Sequence, residues 1–250
     1  LYMLRDRGLV DALLQRAWAT GVRTLLFTVD LPMPGPRHRD ARNGLAQPGL
    51  RPKLLKAGQL AARPGWIVDV GLRGKPHAFG CLGDLVAEAR DFDGFRAFIE
   101  TQFDPSVTWR DIAWLRERWK GRLLLKGILD ARAAVSSGAD GIIVSNHGGR
   151  QLDGVASTAT ALPAIAAAVG GATEVLVDGG VRSGIDVFRA LALGARGVLI
   201  GRPWVWALAG GGAAGLAAML ANWRREFQLA MALTGVTRVA DIGRAQLDLD

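Results

Sequence analysis

Cysteine is nearly absent from the sequence: Cys81 is the only one in 250 residues. A lone thiol excludes an intrachain disulfide framework and a cysteine-rich zinc site, and no metal site is expected. Histidine is scarce too, at three residues (His38, His77 and His147). Lysine supplies only five of the 31 Lys and Arg residues (Lys53, Lys56, Lys75, Lys120 and Lys126), so arginine carries the positive charge. No run of five or six basic residues marks a nucleic-acid arm, so no nucleic-acid partner is expected. No apolar stretch of about 18 residues free of charge stands out, and a spanning helix is not expected. No signal peptide, internal repeat or low-complexity tract is visible. The chain opens on Leu1, in mid-element, which reads as a start lost upstream.

Half the residues are hydrophobic, 22% are charged and 33 are glycine, which is enough apolar material for a folded core and excludes disorder. The length allows one large domain or two small ones. A net charge of +8, spread as scattered arginines, suits a protein that attracts phosphate, carboxylate or acidic lipid. Five short runs rich in Val, Ile and Leu read as buried parallel strands: Arg23–Val29, Arg122–Lys126, Gly141–Ser145, Glu174–Asp178 and Gly197–Ile200. Helical patterns separate them at Asp6–Thr20, Trp109–Trp119, Asp130–Ser137, Thr160–Val169 and Ser183–Leu193, the last with Gly194 as its C′ residue. Ser183 and Asp186 resemble a capping box. Two further helices are expected near Trp204–Leu220 and Trp223–Leu233. The scattered tryptophans (Trp66, Trp109, Trp114, Trp119, Trp204, Trp206 and Trp223) read as packing residues, and His38 and His77 as surface.

Strands alternating with helices imply an α/β fold with right-handed crossovers, either an open doubly wound sheet or a (β/α)8 TIM barrel. A barrel needs eight strands and five are counted, so either three lie upstream or the sheet is open. The segment from Leu31 to Trp109 differs in character, with prolines at 32, 34, 36, 48, 52, 64 and 76 among others and a basic first part, from Arg37 to Lys56, that holds one acid, Asp40. Loops of this length are functional or mobile.

The chemistry-bearing residues follow the strands. His147 and Arg150 lie three apart on the Gly-flanked loop Ser145-Asn146-His147-Gly148-Gly149-Arg150. An imidazole that exchanges protons near neutral pH and a guanidinium that grips a carboxylate can converge on one small acid. The bland alternative is a surface loop with an incidental histidine. Asp178-Gly179-Gly180-Val181-Arg182 and Gly201-Arg202 follow the last two strands. They read as two matching halves of a phosphate site, against an alternative of ordinary turns. Lys126 closes an apolar strand, either snorkelling outward or aimed into the site. Thr28 and Asp30 close the first strand, where Asp30 either orients an imidazole or caps a turn.

At these residues the sequence resembles the FMN-dependent α-hydroxy-acid dehydrogenases and oxidases. The stretch Ser145–Gly154 resembles the family signature, and Leu199-Ile200-Gly201-Arg202 its phosphate-site ending. Leu1–Arg7, Phe27–Asp30, Gly71–His77 and Lys126–Asp130 resemble its bacterial respiratory L-lactate dehydrogenase branch. The likeness runs over nearly the whole chain but begins at the family's fourth barrel strand. It implies that residues 1–250 are the C-terminal portion of a TIM barrel, about strands 4–8, with 31–108 as a long insertion after the first strand present. It implies His147 as base and Asp30 as its partner. Tyr2, Arg37 and Arg150 would contact the substrate. Thr28, Lys126, Ser145, Asp178, Gly179, Gly180, Arg182, Gly201 and Arg202 would hold FMN. The activity implied is oxidation of an L-2-hydroxy acid, L-lactate first and mandelate or glycolate as alternatives. Electrons would pass to a quinone or cytochrome, in a cytoplasmic homo-oligomer with peripheral contact to the inner membrane. Two rivals stand beside this: a portion without activity of its own, and a phosphate-binding barrel of another class. The helix after Asp130 looks about three residues short at its start by comparison with the family.

Overall fold

The computed structural model describes residues 1–33, 35, 38, 42–43, 49–74, 82, 86 and 92–248, without the side chains of 92, 93, 95 and 96. Helix α1 (Arg7–Ala19) starts where the Asp6 carboxylate accepts the Leu9 N–H, and it buries Leu9, Val10 and Leu14. Strand β1 (Thr24–Thr28) follows. Then come α2 (Leu50–Ala61), one helical turn at Pro64–Trp66 that runs into a π-helical Ile67–Leu72, and α3 (Phe92–Gln102). Helix α4 (Trp109–Arg118) opens on a capping box made by Thr108 and Asp111. The remainder alternates: β2 (Arg122–Ile128), α5 (Ala131–Ser136), β3 (Gly141–Val144), α6 (Thr158–Val169), β4 (Glu174–Val177), α7 (Gly184–Ala192), β5 (Gly197–Val198) and α8 (Arg202–Leu233).

The five strands pair in parallel and lie in the order β1-β2-β3-β4-β5. A doubly wound sheet reverses its order at a switch point; an unbroken sequential order is that of a barrel segment. The barrel reading therefore holds, for about five of its strands. The outer edge of β1 is not bare. Leu1 donates its N–H to the Leu26 carbonyl at 2.7 Å and accepts the Thr28 N–H at 2.9 Å, so it pairs parallel to Phe27.

Successive strand residues face opposite sides, and the register decides which. Phe27, Leu125, Ile142 and Val175 align across the sheet and enter the main core with Val10, Leu115, Leu162 and Ile165 of the helices. The alternate set, Thr28, Lys126, Ile143 and Leu176, faces away from that core, and its line continues two residues on to Asp30, Ser145 and Asp178.

Several expected bounds move. Helix α6 begins at Thr158, two residues early, because Ser157 caps it. Strand β5 is two residues, not four. Helix α5 begins directly at Ala131 because Asp130 accepts the Ala133 N–H, so the short stretch after Asp130 is taken up as a short helix. Gly194, with φ of 108°, follows the α7 C-cap as expected. Half of the proposed capping box forms: Ser183 Oγ accepts the Asp186 N–H, but the Asp186 carboxylate accepts from Arg182 instead. The two helices expected at the end are one element, broken at Gly212 (φ 59°, ψ −152°) and not near Leu220. That helix corrects a second expectation. Residues 203–223 carry no charge, and α8 is long and apolar enough to cross a membrane by length and composition. The tryptophans divide: Trp119 is buried as packing requires, whereas Trp66, Trp109, Trp204 and Trp206 are exposed.

Arg7 joins the two ends of the α1–α4 layer. Its Nη2 donates to Asp104 Oδ2 at 2.7 Å and to Asp111 Oδ1 at 2.8 Å. Hydrogen bonds from Ser106, then Arg7, lower the Asp104 carboxyl to about 2. Burial raises that of Asp111, but bonds from Thr108 and Arg7 outweigh it and the net shift is downward. A carboxyl held below its unfolded value stabilises the fold above that value and stops doing so as pH falls through the folded one. The Asp104 contribution is therefore lost between about pH 4 and pH 2. Asp104→Asn is expected to cost about 2 kcal/mol at pH 7 and much less at pH 2, as measured by urea unfolding at both.

Candidate active site

The site forms where the core-averted line of side chains reaches the carboxyl ends of β1 to β4. Lys126 is its centre. Its Nζ donates to Ser145 Oγ at 2.8 Å and lies 3.2 Å from Asp178 Oδ2 and 3.7 Å from Asp30 Oδ2. Of the two readings of Lys126, the inward one holds: its side chain is 16% exposed, and the two acids 13% and 15%. Ser145 is fully buried, and its Oγ also accepts the His147 N–H at 3.0 Å. His147 Nδ1 lies 2.9 Å from Asp30 Oδ1. With Nδ1–H donated to the carboxylate, the imidazole keeps a free lone pair on Nε2, which no contact engages among the described residues. Asp30 is thus a partner of the histidine and not a turn cap.

The loop that carries His147 is strained. Residues 147, 148 and 149 all have left-handed φ (56°, 66° and 71°), and His147 is the one non-glycine with positive φ among the described residues. Such a conformation costs an L-residue about 1–2 kcal/mol and persists where its surroundings hold it. Here the Ser145 hydroxyl, Asp30 and a bond from Arg202 Nη2 to the Gly148 carbonyl (2.8 Å) hold it. Beyond it, Gln151 Nε2 donates to the Met33 carbonyl, and a Cβ on Gly35 would lie 2.6 Å from the Arg150 carbonyl. The loop is therefore pressed onto the start of the long segment after β1. Arg150 itself is exposed at the rim and makes no side-chain bond among the described residues. Arg37 lies outside the described residues. Tyr2 follows directly on the Leu1–Thr28 pair, and its ring meets Phe103 edge-on at 5.7 Å.

The two Gly/Arg turns do not match, contrary to expectation. Gly179 and Gly180 have φ of 88° and 84°. The helix beyond them, α7, has an occupied N-terminus: Glu226 Oε2 accepts the Gly184 N–H at 2.8 Å, Ser183 Oγ accepts from Asp186, and Asp186 accepts from Arg182. The N-terminus of α8 has no side-chain cap, begins at Gly201 and carries Arg202 in its first turn. Unsatisfied helix N–H groups beside a guanidinium make an anion site; two carboxylates at a helix start do not.

Four buried acceptors have no hydrogen-bond partner among the described residues: Asp30 Oδ2, Asp178 Oδ1, Asn146 Oδ1 and Gln151 Oε1. Leaving one such atom unpaired costs about 1–3 kcal/mol, so the cluster is built to meet donors. FMN fits this set. Its ribityl hydroxyls and ring N–H can donate to the orphaned oxygens, and its phosphate suits the α8 N-terminus with Arg202. Three participants were missed in the sequence. Asn146 sits inside the signature stretch, next to His147. Thr158 Oγ1 donates to the Gly179 carbonyl at 3.2 Å. Gly127 has φ of 106° at a bulge in β2, and a Cβ there would lie 2.5 Å from Asp30 Cβ. A glycine after Lys126 was the available signal for the last.

Comparison with known proteins bears on the family and the fold. The chain is 52% identical over 250 residues to an L-lactate dehydrogenase of Stenotrophomonas maltophilia (strain R551-3) and, over the same length, to one of Caulobacter vibrioides (strain NA1000 / CB15N). The alignments cover 99% of the chain and 65% of those relatives, so the chain spans just under two thirds of their length. Among solved structures it resembles the monotopic membrane protein (S)-mandelate dehydrogenase, at 31% identity and a TM-score of 0.88, over 100% of the chain and 66% of that protein. It also resembles mandelate oxidase, at 39% identity and a TM-score of 0.73, over 96% of the chain and 60% of that protein. The sequence model of the FMN-dependent dehydrogenases matches residues 1–249, and the chain belongs to that family.

Proposed function

We propose that residues 1–250 form the C-terminal part of one FMN-dependent dehydrogenase domain, with 31–108 as a long excursion inside it, and that the protein oxidises L-lactate to pyruvate. The observation that carries this reading is the Asp30–His147 pair beside Lys126, Ser145 and Asp178. FMN, when bound, accepts the two electrons released as the hydroxyl-bearing carbon becomes a carbonyl. His147 Nε2 takes one of the two protons released with them, and Asp30 holds the ring in the right tautomer and stabilises its charged form. Arg150, free at the rim, grips the substrate carboxylate, with Arg37 and Tyr2 as further substrate contacts. Lys126 places positive charge where negative charge develops on the reduced cofactor. Thr28, Ser145 and Asp178 line its bed. Gly179, Gly180, Arg182, Gly201 and Arg202 surround its phosphate, with the α8 side supplying the free N–H groups.

The acceptor of the electrons is proposed to be a quinone or cytochrome at the inner membrane, reached from the cytoplasmic side. Helix α2 supports contact with anionic lipid. It exposes Leu50, Leu54, Leu55 and Leu60, interleaved with Arg51, Lys53 and Lys56, and the turn beyond exposes Trp66 and Leu72. An exposed apolar and basic helix lies in a membrane interface. The similarity to a protein described as monotopic points the same way.

Three outcomes are expected. The purified protein carries about one FMN per chain, and its flavin absorbance bleaches on adding L-lactate; no bleaching with any short 2-hydroxy acid sinks the reading. His147→Ala keeps the flavin and lowers kcat by at least about 10²-fold, whereas Gly127→Ala displaces Asp30 and reduces turnover without touching the phosphate site. Vesicles containing anionic lipid bind the protein in a salt-sensitive way, and Lys53→Glu with Lys56→Glu weakens binding by about 2 kcal/mol, roughly thirtyfold. Binding indifferent to salt and to these charges removes the membrane contact.

A further inference from the structure

Tyr2 is held by a structure that none of the roles above uses. Residues 1–7 run beside residues 102–104, where the chain returns from the long excursion. Leu4 and Phe103 form an antiparallel bridge, the Arg5 N–H donates to the Gln102 carbonyl at 2.8 Å, and the Asp6 N–H donates to Gln102 Oε1 at 3.1 Å. The Tyr2 ring packs edge-on against Phe103, at an interplanar angle of 72°. Arg7 fastens both strips. Its Nη1 donates to the Leu4 carbonyl, and its Nη2 donates to Asp104 and Asp111. A planar guanidinium can serve three acceptors in fixed directions, which an ammonium cannot. The fastened strips end next to the candidate active site: Leu1 accepts the Thr28 N–H, and Met3, Thr28, Asp104 and Thr108 line one cavity of about 370 Å³.

We propose that Arg7 is a positioning residue for substrate binding: by locking Leu4 to Asp104 and Asp111 it fixes the Tyr2–Phe103 pair at the mouth of the site. The inference rests on the reading of Tyr2 as a substrate contact. Arg7 is 31% exposed, and its side-chain bonds go to Leu4, Asp104 and Asp111 and not to His147 or Lys126, so it acts on the site through the strip that carries Tyr2. Removing the guanidinium frees the strip that carries Tyr2 while the base and the cofactor bed stay in place. The signature is therefore a weakened affinity with a nearly unchanged chemical step.

Two readouts test this separately. Tyr2 is the only tyrosine in the sequence, so fluorotyrosine labelling gives a single fluorine resonance that reports its ring. Arg7→Met is expected to shift and sharpen that resonance toward the free amino acid, while Arg118→Met, which breaks the ion pair from α4 to Asp11 of α1, leaves it in place. In the FMN-loaded protein, Arg7→Met is expected to raise KM for the hydroxy acid about tenfold with kcat changed less than about twofold. In a Tyr2→Phe background the same substitution adds less than about twofold, because the contact it positions is already gone. Should Arg7→Met fold poorly, Asp104→Asn, which keeps the shape and weakens the fork, is expected to raise KM about threefold. An unmoved resonance, or effects of Arg7→Met and Tyr2→Phe that simply multiply, overturns the proposal. Absence of turnover in the parent protein sinks the functional reading and the substrate half of this one, whereas the fluorine resonance still decides the latch.

Discussion

Lys126 must be both buried and charged, and the region around it answers to that demand. A cation withdrawn from water is tolerated only when its charge is met and its N–H groups are bonded. Ser145 accepts its N–H, Asp178 and Asp30 balance its charge, and strand periodicity delivers all three. In this register, Thr28, Lys126, Ile143 and Leu176 stand in one row, and two residues further on the row becomes Asp30, Ser145 and Asp178. The intervening positions, Phe27, Leu125, Ile142 and Val175, go to the core. A one-residue slip of β2 would exchange Lys126 with Leu125, put a cation in the apolar layer and empty the site. Core packing and the geometry of the candidate site are therefore fixed by the same constraint.

That constraint leaves a deliberate deficit. Two carboxylates share one lysine, and each keeps an oxygen without a hydrogen-bond partner among the described residues. Asp30 directs its other oxygen to His147, so the charge that holds Lys126 also holds the imidazole. The glycines permit this crowding. At Gly127 the backbone passes so close to Asp30 that no Cβ fits, and at Gly148 the Arg202 guanidinium occupies the space a side chain would need. The left-handed turn at His147 is affordable because glycine follows it twice and because the Ser145 hydroxyl, already bonded to Lys126, receives the His147 N–H.

Much of this was legible in the sequence, and the reason is physical. Five apolar runs gave five strands because buried parallel strands have no polar face to disguise them. The polar residues closing those runs gave the site, since both barrels and open sheets place chemistry at strand ends. The choice of barrel over open sheet needed strand order, which no local pattern encodes. What stayed hidden depends on distance between remote segments. The bulge at Gly127 exists only relative to β3, and the role of Asn146 only relative to Gly179. The break at Gly212 hid in a run of three glycines, any of which satisfies the local signal. The exposed tryptophans show the converse error: helical spacing marks a stripe, but not whether anything packs on it.

The two Gly/Arg turns read alike in sequence and are not alike in structure. After β4, the α7 N-terminus receives Ser183, Asp186 and the Glu226 carboxylate reaching across from α8. That last contact needs α7 and α8 to approach so closely that a Cβ on Gly184 would lie 1.9 Å from the Trp223 carbonyl. After β5, the α8 N-terminus has no such cap. Glu226 therefore does two things at once: it satisfies the start of α7 and it places a negative charge there. A phosphate entering between the turns meets repulsion on one side and free N–H groups with Arg202 on the other. Arg202 also grips the Gly148 carbonyl, so the anion end of the site and the histidine loop are joined by one guanidinium. The start of α8 and the loop that carries His147 are thus held in a fixed relation by one side-chain-to-backbone bond between residues 54 apart in sequence.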